Sequence, residues 1–185
     1  MKKDKVCSFF GHRKINVTEE LIQEVKDVVE KLIINNTSIF LFGSRSQFDV
    51  LCHTLVTELQ QKYPHIERKN YTCKSEECIL EKDREKAEQT CWNVLKKEVH
   101  LLGFEEEVEF KTKYTAGKAS YVERNQAMIN DSDICIFYYD ENYQPELRQY
   151  SKRSFYYQPK SGTRLAYEYA KRKKKEIINI IKIHQ

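Results

Sequence analysis

The run Ile134-Cys-Ile-Phe-Tyr-Tyr139 constrains this chain more than any other stretch. Successive side chains of a strand point to opposite faces. A strand that is apolar on both faces must be covered on both, so it belongs in the middle of a sheet flanked by two layers of helix.

The rest of the chain falls into alternating units around that strand. Val6 to Phe10 and Ser38 to Phe42 are apolar runs, and each stops at a glycine, in Gly11-His12-Arg13 and Gly43-Ser44-Arg45. Between them a helix starts at a Thr18 cap, with Glu19 and Glu20 in its first turn. Leu21, Val25, Val28, Val29, Leu32 and Ile33 form its buried stripe, and Asn35-Asn36 ends it. Ser46 with Asp49 resembles a capping box with the shorter acid, and Phe48, Leu51, Leu55 and Leu59 make the next stripe. After Pro64, Ile66 to Tyr71 reads as a third strand, interrupted by Glu67, Arg68 and Lys69. A charged, helix-forming insertion occupies about residues 74–103, and its role as dimer arm, lid or partner surface stays open. Glu105 to Lys113 alternates like an edge strand. A helix opens at Gly117-Lys118 and carries Arg124, Asn125 and Met128 towards Asp131-Ser132-Asp133 and the central strand. Asp140 to Tyr157 is irregular and rich in tyrosine. Ser161-Gly162-Thr163 then leads into a helix reaching about Lys175, and Ile177 to Ile183 is a final strand.

Strands alternating with helices predict one α/β domain over residues 1–185. It should be Rossmann-like, with a mostly parallel sheet, helices on both faces and right-handed crossovers. Ligands of such sheets bind outside the carboxyl ends of the strands. The residues expected around one crevice are therefore Gly11, His12 and Arg13; Gly43, Ser44 and Arg45; and Ser161, Gly162 and Thr163. Guanidinium groups pair with phosphate and keep their charge, which adds Arg124 beside Arg13 and Arg45. The free N–H groups of a first helical turn suit an anion. His12 has two readings, a bond to ribose or phosphate, or the cap of a loop.

Several classes lack their signature. No G-x-S-x-G elbow, Walker lysine or G-x-G-x-x-G is present, which leaves covalent hydrolysis, ATP hydrolysis and ordinary NAD binding without support. Cys73 and Cys78 have no second pair of ligands to complete a zinc site, so neither metal nor cofactor is expected. Cys7 and Cys135 read as small core residues, and Cys52 and Cys91 fall in helical patterns. The 32 basic and 28 acidic residues leave a net charge of +4, a balance that argues against nucleic acid as a partner. The run Lys171-Arg-Lys-Lys-Lys175 looks like a nucleic-acid patch but reads first as a solvated helix end. No apolar run approaches the roughly 20 residues that span a bilayer, and the N-terminus has no signal-peptide core. The expectation is a cytoplasmic protein that does not enter membranes.

Five segments together carry a resemblance: Phe-Phe-Gly-His-Arg, Phe-Gly-Ser-Arg-Ser-Gln-Phe-Asp, Tyr-Val-Glu-Arg-Asn-Gln-Ala-Met-Ile, Ile-Phe-Tyr-Tyr-Asp and Pro-Lys-Ser-Gly-Thr. They resemble the SLOG superfamily, which takes in YpsA-like proteins, the cytokinin-activating LOG enzymes, the DprA/Smf proteins and sensor domains of bacterial defence systems. The chain looks most like the small standalone bacterial members. The resemblance implies a Rossmannoid fold, a nucleotide or nucleotide-derived ligand, and a possible homodimer. It implies a sensor or binding protein, with Arg13, Arg45 and the Ser161-Gly162-Thr163 turn on phosphate. Arg124 and Asn125 would contact phosphate or ribose, and Tyr139 would border the base. The family's enzymes cleave the N-glycosidic bond of nucleoside 5′-monophosphates, with Arg-Lys-x-x-Met on one helix and Gly-Gly-x-Gly-Thr-x-x-Glu on the next. Arg124 and Met128 match the first, with Asn125 in place of lysine. Gly162 and Thr163 match the second, with Ala166 in place of the glutamate. Alanine cannot handle a proton or steady an oxocarbenium ion. The phosphoribohydrolase reading therefore needs a relocated acid such as Glu123 or Asp49. A DNA-binding protein like the DprA relatives is the other alternative.

Overall fold

The computed structural model describes residues 4–43, 46–72, 104–108, 110, 117–149 and 156–181. The strands in these residues are β1 (Lys5–Gly11), β2 (Thr37–Phe42), β3 (Glu67–Asn70), β4 (Glu106–Glu107), β5 (Ile134–Tyr138), β6 (Arg148–Gln149), β7 (Tyr156–Tyr157) and β8 (Glu176–Asn179). The helices are α1 (Glu19–Ile34), α2 (Gln47–Lys62), α3 (Gly117–Asp131) and α4 (Gly162–Arg172). Six strands form one parallel sheet in the order β4-β3-β2-β1-β5-β8. Strands β6 and β7 pair antiparallel inside the stretch that the sequence reads as irregular.

The fold is the expected Rossmann-like α/β arrangement. Ile134, Cys135, Ile136 and Phe137 of β5 are buried between β1 and β8. Strand alternation sorts the core into two layers. Cys7, Phe9, Phe40, Phe42, Ile134 and Ile136 pack under α1 and α2, with Leu21, Val25, Phe48 and Leu55. Phe10, Leu41, Cys135, Phe137 and Tyr139 pack under α3 and α4, with Met128, Ile129, Ala166 and Tyr167. The chain winds from β1 to β3 in one direction and from β5 to β8 in the other. The boundary between β1 and β5 is thus the topological switch point, where doubly wound sheets open a crevice.

The helix starts follow local chemistry. The Thr18 side chain accepts the Leu21 N–H at 3.2 Å, and Ser46 accepts the Asp49 N–H at 3.1 Å. Strand β3 is polar for a different reason. Its Arg68 is buried on the α2 side, where it donates to Glu105 Oε1 at 2.6 Å and Thr57 Oγ1 at 2.9 Å. Burial alone would raise the Glu105 pKa, but hydrogen bonds from Arg68 and Gln60 overcome it and hold the carboxyl at about 2. This pair clamps β4 against β3 and α2. Strand β4 covers Glu106–Glu107 of the edge strand expected over 105–113, of which 109 and 111–113 lie outside the described residues, and Phe110 stacks on Tyr71. Strand β8 covers Glu176–Asn179 of the strand expected over Ile177 to Ile183, of which 182–183 lie outside the described residues, and the Asn179 side chain turns onto the backbone of Tyr139. The charged insertion at about 74–103 lies outside the described residues, as do Cys73, Cys78 and Cys91. Cys7, Cys52 and Cys135 are buried free thiols. Among the described residues, no helix is long and apolar enough to cross a membrane.

Candidate functional site

At the switch point the loops after β1 and β5 are tied together by His12. Its Nε2 accepts the Asp140 N–H at 3.1 Å, which fixes this nitrogen as the unprotonated one. Tyr143 covers the imidazole at 4.1 Å, and Tyr139 lies at 6.1 Å. His12 is only 4% exposed, and burial lowers its pKa, with the nearby Asp140 charge opposing. Of its two sequence readings, the loop-capping one describes this geometry. Tyr139 is likewise committed to the interior. Its N–H donates to Asn179 Oδ1 at 3.0 Å, its carbonyl accepts from Asn179 Nδ2 at 2.9 Å, and its ring packs on Tyr167 at 4.6 Å. Tyr138 faces the other side, against Phe48.

The two strand-end glycines also serve the protein's own packing. A Cβ on Gly11 would sit inside the Phe48 side chain, which α2 lays across the end of β1. A Cβ on Gly43 would run into the Tyr71 carbonyl and come within 3.1 Å of Arg124 Cδ. Arg13 is exposed, and its carbonyl accepts the Gln47 N–H at 3.1 Å. Gln47 Oε1 accepts in turn from the Ile15 N–H at 2.9 Å. This loop is therefore stapled to the start of α2. Ser44 and Arg45 lie outside the described residues.

Arg124, a candidate phosphate partner in the sequence, is buried. It is 2% exposed, lies over the Tyr121 ring at 5.3 Å and reaches Asn125 Oδ1 at 3.4 Å. It fills the space between the end of β2 and the interior face of α3. The next residue, Asn125, faces a different neighbour. Together with Val122, Gln126, Gly162, Leu165 and Ala166 it lines a shallow cleft between α3 and α4, whose enclosed space is about 10 Å³.

The start of α4 shapes that cleft. Ser161 is the cap, accepting the Arg164 N–H at 3.0 Å on its side chain and the Leu165 N–H at 3.1 Å on its carbonyl. Thr163 is buried. The N–H groups of Gly162 and Thr163 precede the first intrahelical bond and carry the positive end of the helix. Gly162 differs from the other two glycines. A Cβ there would meet nothing within 4 Å, and its φ is not in the left-handed region. Glu168 is held outward by Lys160 at 3.0 Å and Arg164 at 3.0 Å, away from Ala166.

The carboxyl edge thus splits the expected residues into groups. Arg124, Gly43 and Asn125 adjoin one another, and Asn125 and Gly162 share the cleft with Ala166. His12 and Tyr139 build the closed switch point, and Gly11 lies under Phe48. The sequence reading missed Gln126, which lines the cleft, and Asn179, which secures Tyr139. An isolated asparagine inside the apolar run Ile177 to Ile183 was the available signal for the second. Among the described residues, no group of three or more His, Cys, Asp or Glu side chains could hold a metal ion.

No protein-family model matches the chain, and no curated protein sequence matches it. The chain is similar in fold to a solved structure of DNA processing protein A from Helicobacter pylori, a protein with a single-stranded DNA binding mode. The TM-score is 0.53 at 16% identity over 94% of this chain. The chain spans 63% of the length of that protein. This likeness corrects one expectation. The near balance of charge does not argue against nucleic acid, since this same fold occurs in a protein that binds single-stranded DNA. Net charge averages over the whole surface, whereas binding depends on where the charges gather.

Proposed function

We propose that the chain binds a nucleotide or nucleotide-derived ligand at the carboxyl edge of its sheet, as a sensor or binding protein of the SLOG type. The observation that carries this reading is Gly162. It is a glycine that its own fold does not demand, at the first position of a helix, opening on a cleft beside Asn125. A side-chain-free helix start lets a ligand approach the N–H groups of Gly162 and Thr163 closely, which suits phosphate. The cleft's enclosed space, about 10 Å³, holds no more than a water and is far below the roughly 300 Å³ of a full small-molecule pocket. A phosphate would therefore sit at its mouth, against the N–H groups of the helix start, with ribose and base along the open edge. Asn125 and Gln126 supply amide donors and acceptors for either group.

The cleft lining contains no carboxylate, and Ala166 stands where the LOG enzymes carry theirs. This favours binding over glycosidic cleavage. A second reading, single-stranded DNA at the same edge, is favoured by the fold shared with DNA processing protein A.

Titration calorimetry with a panel of mononucleotides, cyclic dinucleotides, ADP-ribose derivatives and a short deoxyoligonucleotide tests these readings. Heat with a small nucleotide that is lost in Asn125→Ala supports the first, and heat with the oligonucleotide alone supports the second. No heat with any of them contradicts both. Free adenine released from AMP would restore the enzymatic reading.

A further inference from the structure

The basic run Lys171-Arg-Lys-Lys-Lys175 has no part in the cleft. It follows the carboxyl end of α4 and precedes Glu176, the first residue of β8, which pairs with Ile134 at the start of β5. The run therefore lies at the amino edge of the sheet, opposite the cleft.

Complementing a helix end is the ordinary role of such a run, but the structure assigns that role to other groups. The last carbonyls of α4 are taken by backbone N–H groups: Lys173 to Tyr169, Lys174 to Lys171 and Lys175 to Ala170. The end of α3 is capped by Lys175, whose Nζ donates to the Asn130 carbonyl at 3.0 Å and to that of Ser132. Lys171, Arg172, Lys173 and Lys174 remain exposed. Among the described residues none of these four side chains bonds a carbonyl or pairs with a carboxylate. Of the acids at this edge, Asp131 accepts from the Tyr71 hydroxyl and Asp133 from the Val6 N–H, and Glu176, which follows the run, is exposed beside it.

Three of these cations lie over tyrosine rings. The Tyr169 hydroxyl donates to Asn130 Oδ1 at 3.1 Å, which fixes its ring. Arg172 and Lys173 both lie over that ring, at 5.4 and 5.5 Å, and Lys171 lies over Tyr167 at 4.8 Å. Lys174 occupies a left-handed conformation, φ 55°, at the helix-ending position where glycine is the usual residue.

We infer that this amino-edge surface binds single-stranded nucleic acid, with the four cations on successive phosphates and the partly exposed Tyr169 beside the bases. Cations interleaved with aromatic rings are the features such a strand requires. The four side chains and Tyr169 present no aliphatic or tryptophan side chain to enter a bilayer, which sets nucleic acid ahead of an anionic membrane. This surface is separate from the cleft and does not depend on the reading of Gly162.

The test is fluorescence anisotropy of the full chain with labelled single strands of DNA and of RNA, about 20 nucleotides long. The variant K171Q/R172Q/K173Q/K174Q should lose at least about tenfold affinity at about 50 mM salt, and its log–log salt slope should fall by about 3. A control, K14Q/K26Q/K31Q/K62Q, removes four lysines around α1 and α2 and should lose far less. The single variant K174G should bind more weakly while its melting temperature rises, which separates binding from folding. A preference for DNA or RNA identifies the source of the strand. The inference is overturned by no binding at low salt, by equal loss in the control, by equal affinity for inorganic polyphosphate, or by loss of binding in G162A.

Discussion

At the ends of β1 and β2 the protein itself requires glycine, whereas at the start of α4 it does not. Gly11 lies under Phe48 and Gly43 under the Tyr71 carbonyl, so both are consumed by packing. Gly162 opens on free space beside Asn125. The three look alike in the sequence, each a glycine in a polar loop at a strand end or helix start. What separates them is the neighbour brought by another part of the chain. A glycine that nothing inside the fold explains is better evidence for a ligand than one that a side chain already covers. Lys174 is the converse case, a position whose backbone favours glycine but where the chain carries a charge.

Gly43→Ala should have the largest effect. The obstructing atom is a backbone carbonyl that cannot rotate away, and a loss of about 3 kcal/mol in chemical denaturation is expected. Gly11→Ala should cost nearly as much, about 2–3 kcal/mol, because the nearest obstructing atom is Phe48 Cβ, fixed to the α2 backbone and not moved by turning the ring. Wild-type stability in Gly43→Ala would break the comparison. His12→Ala comes next, at about 2 kcal/mol, since it leaves the buried Asp140 N–H without its acceptor. The same histidine gives a pH dependence. Its pKa is lowered in the folded state, so the unfolded chain binds the proton more readily. The stabilisation is complete above the unfolded value of about 6.5 and is lost as pH falls through the folded value. Melting curves of wild type and His12→Asn over that range check it, and the variant should lack this component. Lys174→Gly should be stabilising by about 1 kcal/mol, by relieving the left-handed backbone. Gly162→Ala should change stability least, within about 0.5 kcal/mol of wild type.

The order of these effects shows what the sequence could and could not reveal. The central strand was legible because apolarity on both faces has one structural solution, and α1 was legible from its stripe and its Thr18 cap. Strand β3 was obscured because Arg68 faces the core, neutralised by Glu105 from the far side of a long connection. No local pattern shows such a partner. The glycine loops were recognisable as strand ends, but Phe48 and Tyr71 reach them through the fold and not through adjacent sequence. Arg124 read as a phosphate partner because guanidinium pairs with phosphate and keeps its charge, and its burial, which the sequence does not show, follows from its place on the inner face of α3 against the end of β2. Ser44 and Arg45, central to the sequence reading, lie outside the described residues.

The central claim is that Gly162 is kept for a ligand and not for the fold. Calorimetry of Gly162→Ala, with the nucleotide that gives heat with wild type, tests it most directly beside a melting curve of the same sample. The account predicts an unchanged melting temperature and binding weakened at least tenfold, about 1.4 kcal/mol or more, as the new methyl group obstructs the helix start. Wild-type affinity in a normally folded Gly162→Ala protein would contradict it.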